Sequence, residues 1–126
     1  MKLGFAIPIV TAALTFVGLS SAVRAAGDPV AGKSVFNKCA VCHTIDPAKK
    51  GVGPTLFGVV GRHSASVEGF AYSPAMKAAD KTWDAATLDV YLTDPKAMVP
   101  GTKMIFPGLP NPEDRANVIA YLSTLK

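Results

Sequence analysis

Cys39-Ala40-Val41-Cys42-His43 is the stretch that decides how the rest of the chain is read. Two thiols three residues apart, followed at once by a histidine, form the pattern used for covalent haem attachment. Each thiol can add across one vinyl group of the porphyrin to form a thioether. The histidine next in the chain then lies under the iron and offers an imidazole nitrogen. Such links keep the cofactor in place in a compartment where dissociated haem is not easily recovered. Two other chemistries use the same residue types. A Cys39–Cys42 disulfide or thioredoxin-type pair belongs in a βαβ context, and no stretch here alternates as a strand would. A structural zinc site wants four ligands, and His43 and His63 lack finger spacing. Haem attachment is the reading that fits.

Upstream of the motif the chain opens with Met1-Lys2, an apolar run from Leu3 to Val23, and a small-residue exit around Ala22–Ala26. That order of basic, apolar and small predicts a cleavable signal peptide over 1–26 and a mature domain over 27–126. Cleavage is expected after Ala25 or Ala26. A membrane anchor is the competing reading, but Gly4, Pro8, Gly18 and two serines dilute the run. Lys2 and Arg24 fall in the leader, which leaves 11 basic against 9 acidic residues, a net of +2. A balance so mild, with no dense Arg/Lys run, does not suggest nucleic acid. A mature chain of about 100 residues has a small core, and small exported domains usually add disulfides, a metal or a cofactor. Two cysteines allow one disulfide at most, so a bound guest is expected to complete the core.

Downstream, the chain reads as short helices between Gly/Pro-rich loops, an all-α domain. Asp28-Pro29 caps a helix expected to run to about Cys39, and Ser73-Pro74 starts another through Ala79. Asp84 caps Ala85–Thr93, Pro95 ends that helix or forces a new one, and Asn111-Pro112 opens the last. Lys49–Gly69 and Val99–Gly108 are too rich in Gly and Pro for regular structure. Loops of that length in a compact domain usually line something.

An iron held by His43 needs a sixth ligand, and the candidates are Met76, Met98, Met104, His63 and the lysines. Met76 and Met98 lie in helical stretches, where packing is the commoner fate of methionine. Met104 lies in the Pro-Gly loop, whose curvature can turn one side chain inward. His63 reads as a surface residue. Met–His ligation raises the haem potential and closes the iron to outside ligands, which suits electron transfer.

Over 28–126 the sequence resembles the class I c-type cytochromes, in particular the bacterial cytochrome c2 type, similar to mitochondrial cytochrome c. The resemblance rests on Gly32-Lys33, Phe36-Asn37-Lys38-Cys39, Gly53-Pro54-Thr55-Leu56, Gly69-Phe70-Ala71-Tyr72, Thr82-Trp83, Asp94-Pro95-Lys96 and Pro100-Gly101-Thr102-Lys103-Met104-Ile105-Phe106. It implies a class I cytochrome c fold with one haem c bound through Cys39 and Cys42, and iron ligated by His43 and Met104. It further implies that Pro54 accepts the His43 imidazole N–H, and that Arg62, Tyr72 and Trp83 hold a buried haem propionate. Tyr91 and Thr102 are expected near Met104, and Gly32, Phe36, Val118 and Tyr121 where the first and last helices meet. Met76 departs from the pattern, standing where many relatives carry an asparagine.

The resemblance implies a monomeric, soluble periplasmic electron carrier of a respiratory or photosynthetic chain, not an enzyme. Its implied donor is a bc1-type complex, and its acceptor an oxidase, reaction centre or reductase. The alternative is a peroxidase-type haem enzyme or ligand sensor with an open iron site. Lys38, Lys49, Lys50, Lys96 and Lys103 flank segments that must border the haem edge. They are expected to form the docking face for redox partners.

Overall fold

Among the described residues, five side chains start the five helices, each accepting a hydrogen bond from a backbone N–H two or three residues further on. Asp28 caps α1 (Pro29–Phe36) and Ser73 caps α2 (Pro74–Ala79). Asp84 caps α3 (Ala85–Thr93), Asp94 caps α4 (Pro95–Met98) and Asn111 caps α5 (Pro112–Leu122). Four of the five have proline in the first turn, where its missing N–H would have had no partner anyway. The computed structural model describes Gly4 and residues 26–126. The leader expected over 1–26 therefore lies, but for Gly4 and Ala26, outside the described residues.

The helix starts fall where the sequence places them, and Pro95 opens a new four-residue helix. The first helix stops short of the expected Cys39. Its regular part ends at Phe36, and tight turns carry the chain through 37–42. Cys39 and Ala40 both donate their N–H to the Phe36 carbonyl, and His43 donates to that of Cys39. The thiol-bearing stretch is thus a compact coil in which Cys39, Cys42 and His43 are held by consecutive turns. No strand occurs among the described residues; one antiparallel bridge joins His63 to Thr82.

α1 and α5 make the main helix–helix contact. Gly32 lets them close, because a Cβ there would strike the Asn117 carbonyl and come within 2.9 Å of the Tyr121 Cβ. The Phe36 and Tyr121 rings pack beside this crossing with centroids 5.3 Å apart. Val118, Ile119 and Leu122 face inward from α5. Arg115 shares that buried face at 8% exposure. Its guanidinium bonds Asp89 of α3 at 2.8 Å and the carbonyls of Leu109 and Pro110 at 2.8 and 3.1 Å. One cation thereby joins α3, α5 and the root of the loop after Met104, each of its bonds offsetting the cost of burial.

No helix among the described residues is long and apolar enough to cross a membrane.

Candidate functional site

The protein does not close on itself. A cavity of about 390 Å³ runs through its middle, walled by the Cys39–His43 turns, the Gly53–Val59 loop, α2, α3 and the Thr102–Phe106 loop. Its walls are mostly apolar, with Leu56, Val59, Phe70 and Phe106 among them. The few polar and sulfur-bearing side chains that interrupt them are the ones singled out from the sequence.

Cys39 is half-buried and Cys42 exposed, both as free thiols at the cavity wall. Burial pushes the Cys39 thiol up from its ordinary pKa, and the neighbouring Lys38 ammonium partly offsets this. His43 lines the same wall. Its Nδ1 donates to the Pro54 carbonyl at 2.7 Å, which leaves Nε2 as the ring's unprotonated nitrogen. Burial holds the imidazole below its usual pKa; the Pro54 bond opposes this, and the Arg62 charge adds to it. A neutral ring with its orientation fixed by a carbonyl is what a metal ligand requires. Gly53 makes room for it, since a Cβ there would lie 2.5 Å from His43 Cε1.

On the Thr102–Phe106 wall Met104 lines the cavity, and its sulfur accepts from the Tyr91 hydroxyl at 3.8 Å. The Met104 N–H donates to the Thr102 hydroxyl at 3.2 Å, which bends the loop at this point. Burial raises the Tyr91 pKa and a bond with Thr102 lowers it, so the hydroxyl stays a neutral donor at physiological pH. Met98 packs against the core and does not line the cavity. Met76 does line it, adding a second thioether to its wall.

Arg62, Tyr72 and Trp83 all line the cavity. The Arg62 guanidinium donates to the carbonyls of Phe57 and Thr55 at 3.0 and 2.9 Å. Burial draws its pKa down, although a guanidinium remains cationic at neutral pH. The Tyr72 oxygen accepts from the Val67 N–H at 3.0 Å, leaving its own O–H to donate. Trp83 is buried, with its ring centroid 4.8 Å from that of Tyr91.

All ten residues proposed from the sequence thus line one cavity. Of the five lysines, Lys38 and Lys103 stand at its edge, together with Val52 and Ile105, which are 81% and 96% exposed. Lys49 pairs with Asp46 at 3.7 Å, and Lys50 and Lys96 are exposed away from the lining. Sequence reasoning missed two features. Arg115 could have been found, because it falls three and four residues before Val118 and Ile119 on the apolar face of α5. The ion pair of His63 with Asp80, 2.8 Å apart, links residues 17 apart in sequence, and no pattern announces it.

The donor set fits a haem. Two thiols stand beside an imidazole whose far nitrogen is fixed, a thioether lies on another wall, and a guanidinium and two aromatic donors line the same cavity. Comparison with known proteins agrees. The Cytochrome c family model matches residues 29–126. Cytochrome c2 of Rhodomicrobium vannielii is 56% identical over 119 residues, covering 94% of this chain and 93% of that one. Cytochrome c2 of Rhodoblastus acidophilus is 60% identical over 102 residues, covering 80% and 95%. Among solved structures, cytochrome cH from Methylobacterium extorquens superposes with a TM-score of 0.74 at 48% identity, covering 78% of this chain and 99% of that one. The chain belongs to the cytochrome c family, of the class I bacterial c2 type, and Cys39 and Cys42 carry the spacing of its covalent haem c motif.

Proposed function

We propose that this chain is a soluble periplasmic one-electron carrier and that it does no bond-making chemistry. The observation that carries the reading is the pairing of His43 and Met104 on the walls of one cavity, each held by a hydrogen bond from outside the ring or sulfur. When bound, haem c supplies the Fe(III)/Fe(II) couple. Cys39 and Cys42 would anchor it by thioethers. His43 Nε2 and Met104 Sδ would hold the iron, and an imidazole–thioether pair would favour a high potential and disfavour outside ligands. The Pro54 and Tyr91 bonds to those two groups need no haem charge to form, so little would have to rearrange when an electron moves. Arg62, Tyr72 and Trp83 would donate to a haem carboxylate that would be costly to bury unpaired, and Thr102 fixes the Met104 loop.

Electrons leave where the cavity opens to solvent, beside Lys38, Lys103, Val52 and Ile105. Ammonium groups around an apolar patch suit an acidic redox partner that docks briefly. Lys49, Lys50 and Lys96 extend the same positive field. A bc1-type donor and an oxidase, reaction centre or reductase as acceptor match this chemistry, with the chain acting as a monomer. The leader expected over 1–26 supports exchange in the periplasm.

The test is the spectrum of the purified protein in both oxidation states, with and without carbon monoxide. Six-coordinate low-spin iron that ignores carbon monoxide supports the carrier. High-spin iron that binds it readily points to a peroxidase-type enzyme or ligand sensor with an open site.

A further inference from the structure

His63 stands at the rim of the cavity on a short ribbon opposite Lys81–Trp83. The Gly61 N–H donates to the Trp83 carbonyl at 2.8 Å, the Trp83 N–H to the Arg62 carbonyl at 2.9 Å, and the Ser64 N–H to the Lys81 carbonyl at 2.7 Å. The buried Ser64 hydroxyl returns the last bond, accepting from the Lys81 N–H at 2.9 Å. Two cavity residues, Arg62 and Trp83, therefore sit on facing sides of this ribbon. Its far end is held in an unfavourable shape, since Ala65 and Asp80 both take positive φ, 54° and 50°. Positive φ costs a side-chain-bearing residue energy and persists only where the surroundings impose it.

The imidazole of His63 spans that end. Its Nε2 lies 2.8 Å from an Asp80 carboxylate oxygen and its Nδ1 lies 2.8 Å from the Ser64 carbonyl. Both partners are acceptors only, so both ring nitrogens must donate. A neutral imidazole has one N–H; only the imidazolium satisfies both bonds. The charged groups around the ring are Asp80 at the end of α2, Lys81 beside it, and Arg62 on the ring's own segment. Of these, Asp80 is in contact and dominates.

We propose that His63 is a positioning residue for the haem site, and that its proton, shared with Asp80, is bound more tightly when the iron is reduced than when it is oxidised. The proposal rests on the haem reading given above. Protonated, the His63–Asp80 pair is neutral overall; deprotonated, it carries one negative charge at the cavity rim and one of its two bonds to the ribbon is lost. Negative charge near the iron favours the ferric state. The potential must therefore fall as pH rises through the His63 pKa. By linkage the same coupling makes that pKa lower in the oxidised protein. The Asp80 and Ser64 bonds both raise the pKa above its usual value near 6.5, which sets the fall above that pH. The clamp's contribution to stability follows the same course, present in full below pH 6.5 and lost as pH rises through the folded-state value. Exposure of the ring weakens the coupling without changing its sign.

The experiment measures the reduction potential of the holoprotein from pH 5 to 9, alongside the His63 titration by NMR in each oxidation state. Wild type should show one downward step, with a His63 proton affinity at least twofold higher in the reduced protein. Twofold corresponds to about 18 mV at 59 mV per tenfold for a one-electron couple. His63→Gln leaves Asp80 permanently charged, so its potential should stay flat near the high-pH value of wild type. Asp80→Asn should move the step to lower pH. A step unchanged in His63→Gln would assign the proton to a haem carboxylate and overturn the proposal, as would equal His63 pKa values in the two states. Loss of the proposal alone leaves the spectrum and the reversible wave intact. Absence of any reversible one-electron wave would overturn the haem reading with it.

Discussion

The Nδ1 nitrogen of His43 lies 2.7 Å from the carbonyl oxygen of Pro54, a residue eleven positions further along the chain. This bond ties the loop after the attachment motif to the ring proposed as an iron ligand. Gly53, next to Pro54, is what allows the approach. A methyl group at 53 would stand 2.5 Å from His43 Cε1 and 2.8 Å from Nδ1, inside any normal contact. Gly53→Ala should tilt the ring and destabilise the holoprotein by about 1–3 kcal/mol, the usual range for overpacking. Thermal unfolding followed in the haem absorption checks the loss, and a wild-type melting curve would show that the ring has slack.

Met104 and Met98 differ only in what surrounds them. The first lines the cavity and accepts from Tyr91; the second packs in the core. Met104→Ala should abolish the weak far-red sulfur–iron band, lower the potential and raise peroxidase activity as the iron opens. Met98→Leu, nearly equal in volume, should cost under about 1.5 kcal/mol and leave all three unchanged. Ligand changes in Met98→Leu instead would mean that the loop around Met104 is misplaced.

Gly32 sets the distance between α1 and α5. Its missing side chain faces backbone, the Asn117 carbonyl, which cannot swing aside as a flexible side chain would. Gly32→Ala should therefore cost about 3 kcal/mol, at the upper end for an added methyl. A fall in the urea midpoint with an unchanged slope, read on the holoprotein, is the expected result.

Local chemistry made much of this legible from sequence. Asp28-Pro29, Ser73-Pro74, Asp84 and Asn111-Pro112 marked helix starts, because a capping side chain and a proline act within three residues of themselves. The end of α1 was less legible. The tight turns over 37–42 keep helix-like bonds, and their departure from regular helix accompanies the placing of both thiols and His43 on one wall. The attachment motif and the Met104 loop were readable because their residues are close in sequence. His63 with Asp80, and Arg115 with Asp89, were not. Each pair joins segments that meet only after the chain has folded, and an ordinary surface histidine or arginine looks the same in sequence.

The lysines that border the cavity lead to a graded expectation. Lys38 and Lys103 stand at its edge, whereas Lys49 is partly neutralised by Asp46. Electrostatic steering raises association rates by about 10–10³, and screening over roughly 10 Å at 0.1 M salt removes it. The bimolecular rate with an acidic redox partner should fall steeply with ionic strength. Lys103→Glu or Lys38→Glu should slow it more than Lys49→Glu, with the haem spectrum unchanged. A salt-independent rate would instead favour contact through Val52 and Ile105 alone.

The proposed carrier requires that Cys39 and Cys42 hold one haem covalently beside His43. The intact mass of the purified, denatured protein after acid–acetone extraction tests this most directly. The account predicts a mass equal to the mature chain plus one haem, and the mass of the bare chain in a Cys39→Ala/Cys42→Ala variant. A wild-type protein that gives up its haem to the solvent and runs at the bare-chain mass would contradict it.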